Sequence, residues 1–141
     1  MQEQFDMMSR TAIENFGNGS MYIEKALDNQ RHIEVQIFSD IHGNAVSLGV
    51  RDCTTQRNRQ KIIEETGDLG INSVAISRLQ DIAVAVVRGI GYVGAGTFEF
   101  LYDPISGSFT FMEMNTRIQV EHTITEQLIR NTGIDKGLNL V

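Results

Sequence analysis

Glu99 and Glu113 stand on either side of a turn-forming run, Pro104-Ile105-Ser106-Gly107, and the residues between them read as two strands joined by that turn. With an even register in which Asp103 pairs with Phe109, Glu99 falls opposite Glu113. Two carboxylates roughly 5 Å apart repel by about 3 kcal/mol at an effective dielectric of about 20. A divalent cation offsets that repulsion. An all-oxygen ligand set suits magnesium, which takes one or two carboxylates and fills its other positions with water and phosphate. Asn115, two residues on and on the same face, offers a third oxygen. The competing arrangement is a solvated strand face with both glutamates in water. Thr97 and Leu101 beside Glu99, with Phe109 and Phe111 beside Glu113, make the face partly apolar and favour a metal site.

Directly behind the second strand runs Glu113-Met114-Asn115-Thr116-Arg117-Ile118-Gln119-Val120-Glu121-His122. Arg117 can hold a planar oxyanion in a two-pronged hydrogen bond, Gln119 can add a donor, and Glu121 can take a proton from what they hold. Such a set suits a small carboxylate-like anion next to a magnesium nucleotide. The alternative is an exposed, mixed-charge strand end. Further cations come from Gln56-Arg57-Asn58-Arg59-Gln60-Lys61. Arg57 and Arg59 read as solvated, whereas Lys61, followed by Ile62-Ile63, is anchored well enough to reach an anion. From chemistry alone Glu24 and Lys25 suit a surface ion pair or a nucleotide contact equally. His32 reads as a satisfied histidine and Cys53 as a structural core thiol.

These residues need a scaffold. Apolar positions Phe5, Met8, Ala12, Ile13 and Phe16 predict an amphipathic helix over residues 2–16, stopped by Gly17-Asn18-Gly19. Alternation predicts three antiparallel strands, 20–27, 31–40 and 45–53. In the middle strand Ile33, Val35 and Ile37 share one face, while His32, Glu34 and Gln36 share the other, so polar chemistry faces one way. Residues 54–70 lose periodicity and read as a long loop over the sheet. An apolar stripe predicts a helix over 71–90, followed by strands 96–103 and 108–115. The tail from Glu121 begins as a helix and weakens at Gly133 and Gly137. The predicted fold class is α+β: an antiparallel sheet backed by helices.

The 141 residues suffice for one domain with its own core, and a net charge of −6 argues against nucleic acid as a partner. Cys53 is the only cysteine, so no intrachain disulfide forms, which fits a reducing compartment. The absence of a long apolar run or a secretion signal makes the expected location cytoplasmic, or the mitochondrial matrix in a eukaryote, with no membrane partner.

Four stretches together resemble the biotin carboxylases of the ATP-grasp superfamily. They are Arg31-His32-Ile33-Glu34-Val35-Gln36, Arg51-Asp52-Cys53-Thr54-Thr55-Gln56-Arg57, Gly94-Ala95-Gly96-Thr97-Phe98-Glu99-Phe100, and Glu113 through His122. The resemblance runs from about Gly17 to Glu126. It implies the carboxy-terminal half of an ATP-grasp fold that carboxylates biotin on a carrier domain, using ATP and bicarbonate. By matching position, Glu24, Lys25 and Leu27 would border the adenine, His32 and Gln56 would help to hold the nucleotide, and Met112 would pack on the base. Glu99 and Glu113, with Asn115, would be the magnesium (or manganese) ligands. Lys61, Arg117, Gln119 and the backbone of Val120 would bind bicarbonate. Glu121 would be the base that deprotonates bicarbonate before it attacks the terminal phosphate, and Arg117 would also steady the enolate-like biotin. The product would be carboxyphosphate, whose breakdown delivers carbon dioxide to biotin.

The resemblance also has departures. Arg59 stands where the family has a histidine, Thr66-Gly67-Asp68 replaces a proline-containing run, and Thr123 replaces a proline. Nothing matches the family's amino-terminal domain, its glycine-rich lid or its carboxy-terminal part, so residues 1–141 read as a partial ATP-grasp domain. The implied partners are a biotin carboxyl carrier domain and a carboxyltransferase, with a homodimer for the complete protein. The competing function is a nonenzymatic ATP-grasp remnant or assembly module with weak magnesium-nucleotide binding.

Overall fold

The computed structural model describes residues 1–131 and 140. In chain order the elements are α1 (Gln2–Phe16), β1 (Arg31–Ser39), β2 (Ala45–Asp52), β3 (Gln56–Arg57), β4 (Gln60–Lys61), β5 (Glu65–Thr66), α2 (Ser73–Gly89), β6 (Gly94–Tyr102), β7 (Phe109–Asn115) and α3 (His122–Asn131). Five strands form one antiparallel sheet in the order β5-β2-β1-β6-β7, and β3 and β4 make a separate two-stranded ribbon. No described helix is long and apolar enough to cross a membrane.

The two faces of the sheet differ as the alternation in β1 demands. Ile33, Val35 and Ile37 join Val50, Phe98 and Phe100 on one face and bury against Leu79, Ala83 and Val87 of α2. Each of these side chains larger than Ala83 contributes about 1.5–3 kcal/mol through apolar area removed from water. α2 starts at Asn72, whose side chain accepts hydrogen bonds from the backbone N–H groups of Val74 and Ala75. The opposite face carries Glu34, Gln36, Arg51, Thr97 and Glu99, all buried, beneath the segment ending in Gln119 and the helix α3.

Two β-bulges decide which charged residues reach that polar face. Along β2, Ser47 pairs with Ile37 on the α2 side, and strict alternation would send Arg51 into the apolar core. The register shifts between Val35 and Ile37, and Gly49, at φ 112°, supplies the backbone the extra residue requires. Arg51 thereby comes opposite Glu34 on the polar face. The same happens in β7, where Phe109 and Phe111 pair with Tyr102 and Phe100, one residue short of the predicted register. Met112 is the extra residue, and beyond it Glu113 is paired with Glu99. The expected glutamate pairing is therefore present, reached by a bulge and not by an even ladder. Phe109 and Phe111 consequently lie on the α2 face, in ring contact with Phe100 at 6.4 and 5.8 Å, and do not flank Glu113 as predicted.

Two other expectations are corrected. Residues 20–27 form no strand, because both edges of β1 are already taken by β2 and β6, and Tyr22 and Ile23 remain exposed. Residues 54–70 are more than a loop. They fold into the β3–β4 ribbon, turned by Asn58 and Arg59 in left-handed conformations at φ 53° and 63°, and then add β5 to the edge of β2. That ribbon places Lys61. The predicted helices over 2–16 and 71–90 form as α1 and α2, with Gly17 at φ 73° closing the first. The predicted tail helix runs to Asn131, and Gly133 and Gly137 lie outside the described residues.

Candidate active site

Lys61 is the centre of the polar face. Its ammonium donates to Glu34 Oε1, to Glu121 Oε1 at 2.6 Å and to Glu99 Oε1 at 3.3 Å, so strands β1, β4 and β6 and the start of α3 meet on one cation. Glu34 is fully buried, and its other oxygen accepts from Arg51 Nε and Nη2 at 3.2 and 2.9 Å. Glu99 Oε1 also accepts from Asn115 Nδ2 at 2.8 Å and from Gln119 Nε2 at 3.1 Å. His32 Nδ1 accepts from Gln56 Nε2 at 2.8 Å, which leaves the proton on Nε2. Nε2 lies 2.9 Å from Glu99 Oε2, off the line of a good hydrogen bond.

Burial raises the proton affinity of Glu99, but His32, the charge of Lys61 and the Gln119 amide outweigh it and bring the carboxyl to about 2. Glu121 shows the same contest: burial pushes its carboxyl up, and the hydrogen bond from Lys61 leads the effects that hold it below the ordinary range. Burial also works against the Lys61 ammonium, and Glu121 and Glu34 overcome it, so its pKa is raised. Lys61, Glu99 and Glu121 are all charged at neutral pH. Cys53 is fully buried, as expected of a structural thiol, and lies beside Glu34. Burial followed by the charge of Glu34 pushes its thiol far up, so it stays neutral.

A polar cavity of about 530 Å³ opens over this cluster, lined by His32, Gln56, Arg59, Lys61, Glu99, Met112, Glu113, Asn115, Arg117 and Gln119. Arg117 is exposed at its side, with Nη1 on the Ile118 carbonyl at 3.1 Å. A second cavity of about 690 Å³ is lined by Glu24, Lys25 and Leu27 together with Leu101, Met112 and Glu113. Met112 and Glu113 line both, so the residues singled out for a nucleotide and those for an anion meet at the β7 bulge. Val120 is 89% exposed and lines neither cavity.

The donor set suits a hard divalent cation. Glu99 and Glu113 are register partners, both line the polar cavity, and Asn115 spends its Nδ2 on Glu99, which leaves Oδ1 free to coordinate. Two tighter groupings, His32–Glu34–Glu99 and Glu34–Cys53–Glu121, bring ligand atoms within 4.8 Å of one another. Arg51 and Lys61 already neutralise Glu34, which both share, so neither offers an open anionic cage.

Four buried residues escaped the sequence reading as site residues: Glu34, Arg51, Thr97 and Thr125. Glu34 had a signal in its alternation with His32. Arg51 had none, because a regular strand sends it to the other face. The Arg51 guanidinium is fully buried and also donates to Gln36 Oε1 and Thr125 Oγ1 at 2.8 and 2.9 Å, and to Thr97 Oγ1 and Gln119 Oε1 at 3.4 and 3.3 Å.

Residues 1–136 match the family model described as carbamoyl-phosphate synthase L chain, ATP binding domain. The chain is 50% identical over 134 residues to the mitochondrial methylcrotonoyl-CoA carboxylase subunit alpha of Rattus norvegicus, covering 95% of this chain and 18% of that protein. It is also 50% identical over 120 residues to the biotin carboxylase of Allochromatium vinosum, covering 85% of this chain and 26% of that one. The biotin carboxylase domain dimer of Hydrogenobacter thermophilus 2-oxoglutarate carboxylase, solved with MgADP, ADP and bicarbonate, superposes with a TM-score of 0.78 at 35% identity. That match covers 97% of this chain and 32% of that one. The chain thus spans about a quarter of the length of such relatives.

Proposed function

The chain belongs to the ATP-grasp family of the carbamoyl-phosphate synthase L chain, ATP binding domain, on its biotin carboxylase branch, and from that premise we propose that it is the catalytic core segment of a biotin-dependent carboxylase. The substrates are ATP, bicarbonate and biotin on a carrier domain. The observation that carries the proposal is a single cavity lined both by Lys61, Gln119 and Arg117, suited to a small oxyanion, and by the Glu99–Glu113 pair, suited to a metal nucleotide, with Glu121 bonded to Lys61 at 2.6 Å.

Glu99, Glu113 and Asn115 hold magnesium, which when bound neutralises phosphate charge. Glu24, Lys25 and Leu27 border the base, Met112 packs against it, and His32 and Gln56 reach the nucleotide from β1 and β3. Bicarbonate lies between Lys61 and Arg117, with the Gln119 amide and the Val120 backbone as further donors. Glu121 takes its proton. The freed oxyanion forms a bond to the terminal phosphorus, the bond from that phosphorus to the ADP oxygen breaks, and carboxyphosphate results. An anion resting on Lys61 shares that cation with Glu121 and so raises the proton affinity of Glu121 where the proton must be accepted. Arg117 then steadies the enolate-like biotin. The protein's contribution is positioning and charge stabilisation.

The partners of the longer protein are a biotin carboxyl carrier domain and a carboxyltransferase, and the complete protein is a homodimer, a reading supported by the Hydrogenobacter thermophilus domain having been solved as a dimer. The location is the cytoplasm, or the mitochondrial matrix in a eukaryote. Calorimetric titration with ADP and ATP, with and without magnesium, tests the nucleotide half against Glu99→Gln/Glu113→Gln. Magnesium-dependent binding that disappears in the double variant is expected, and binding indifferent to both changes sinks the assignment. In the longer protein, Glu121→Gln abolishes bicarbonate-dependent ATP hydrolysis, and unchanged hydrolysis removes Glu121 as the base. A module that binds magnesium nucleotide but shows no bicarbonate dependence in its complete form is the nonenzymatic alternative.

A further inference from the structure

Gln119 has an amide whose two ends do opposite things: Nε2 donates and Oε1 accepts. In this fold Oε1 accepts from Arg51 Nη2 at 3.3 Å, while Nε2 donates to Glu99 Oε1 at 3.1 Å, and both Gln119 and Glu99 line the polar cavity. The Arg51 guanidinium has no acceptor capacity, so the amide nitrogen has nothing to gain by facing it. The flipped amide would put two donors against a buried cation and its oxygen against the Glu99 carboxylate, leaving both sides unsatisfied.

Arg51 is itself locked. Glu34 takes Nε and Nη2, and Gln36 and Thr125 take Nη1, all in a fully buried setting. These four hydrogen bonds go to three residues of β1 and α3, so the guanidinium plane is fixed by two elements that the bulge at Gly49 brings it between. Lysine cannot reproduce this. An ammonium can satisfy Glu34 as a point charge, but it has no planar fork with which to reach Gln36, Thr125 and Gln119 together.

Resting on the bicarbonate reading above, we propose that Arg51 is a positioning residue that fixes the polarity of the Gln119 amide, presenting its donor end to the anion site without touching substrate. Loss of this one orienting contact raises the bicarbonate KM by roughly tenfold, the size of one hydrogen bond to a charged group. The ATP KM stays within about twofold, because Arg51 lines neither cavity.

The test is a double-mutant cycle in the longer protein, reading the KM for bicarbonate and for ATP separately. Arg51→Lys raises the bicarbonate KM when Gln119 is present, and has little further effect in the Gln119→Ala background, because the group it orients is gone. An equal rise in both backgrounds, or a rise in the ATP KM of the same size, overturns the proposal and leaves Arg51 a purely structural residue. Should Arg51→Lys fail to fold, Thr125→Val withdraws one anchor at constant volume. It moves the bicarbonate KM in the same direction by a smaller factor, and Thr125→Ser restores it; no movement overturns the proposal. A wild type without bicarbonate dependence refutes the function and not the polarity. In that case the Gln119 side-chain amide, identified by nitrogen-15 NMR through its loss in Gln119→Ala, still decides. A shifted, exchange-protected pair that becomes solvent-like in Thr125→Val and returns in Thr125→Ser supports the orientation, and a pair indifferent to Thr125 ends it.

Discussion

Asp52 shows how charge at one residue ties the fold to pH. Its carboxylate pairs with Arg31 at 2.6 Å and accepts from the Thr54 backbone at 2.8 Å and from the Thr54 hydroxyl. Burial raises its proton affinity, but Thr54 and Arg31 outweigh burial and hold the carboxyl below 3.8. A depressed carboxyl contributes stability that is complete above its unfolded value and is lost as pH falls through the folded one. Asp52→Asn therefore costs on the order of 1–3 kcal/mol at pH 7, and urea titrations of the two proteins converge as pH falls below about 4. A difference that persists undiminished at pH 2 assigns the effect to packing. Of the residues proposed for the site, Glu99, Glu113, Asn115, Arg117, Gln119 and Glu121 were singled out from residue type and spacing. Arg51 was not, because burial of a cation is a property of its surroundings and has no signature in a single strand.

At the scale of elements the two bulges are the chief device. Each adds one residue to a strand and so moves the next charged side chain from the apolar face to the polar one. Deleting Met112 therefore leaves Phe111 opposite Phe100 and Glu113 opposite Glu99, now in a regular ladder. The unfolding midpoint should be held while ADP affinity falls, since Met112 walls both cavities; thermal melts and calorimetry measure the two separately. Collapse of the fold would mean that the bulge itself is needed for strand pairing. α2 offers a simpler case. Asn72→Ala removes the acceptor for two backbone N–H groups and should cost about 1 kcal/mol, seen as a shift in the urea midpoint without a change in slope. The helices were legible because a 3.6-residue stripe is a local pattern. The supposed strand over 20–27 was misread because pairing depends on a free edge, and β1 has none.

For the whole molecule, stability is unevenly distributed. α1 contributes no buried residue, and Met7, Met8, Ile13 and Phe16 stay exposed, whereas β1 is enclosed between two strands and between α2 and the polar cluster. Hydrogen exchange should accordingly find the α1 amides open to solvent long before those of β1, and equal protection would show that the helix is held by contacts beyond this chain's own core. The amino-acid sequence by itself determined the class of fold, the positions of α1 and α2, and the polar and apolar faces of β1. All of these follow from periodicity or from residue chemistry within a short window. Tertiary structure decided which charges are buried and what they hold: the bulge that turns Arg51 under α3, the ribbon that carries Lys61 to Glu34, Glu99 and Glu121, and the junction of two cavities at Met112 and Glu113. The reason is physical. A strand's alternation is local, but a one-residue change of register is favoured only when distant elements supply the partners that a buried charge requires.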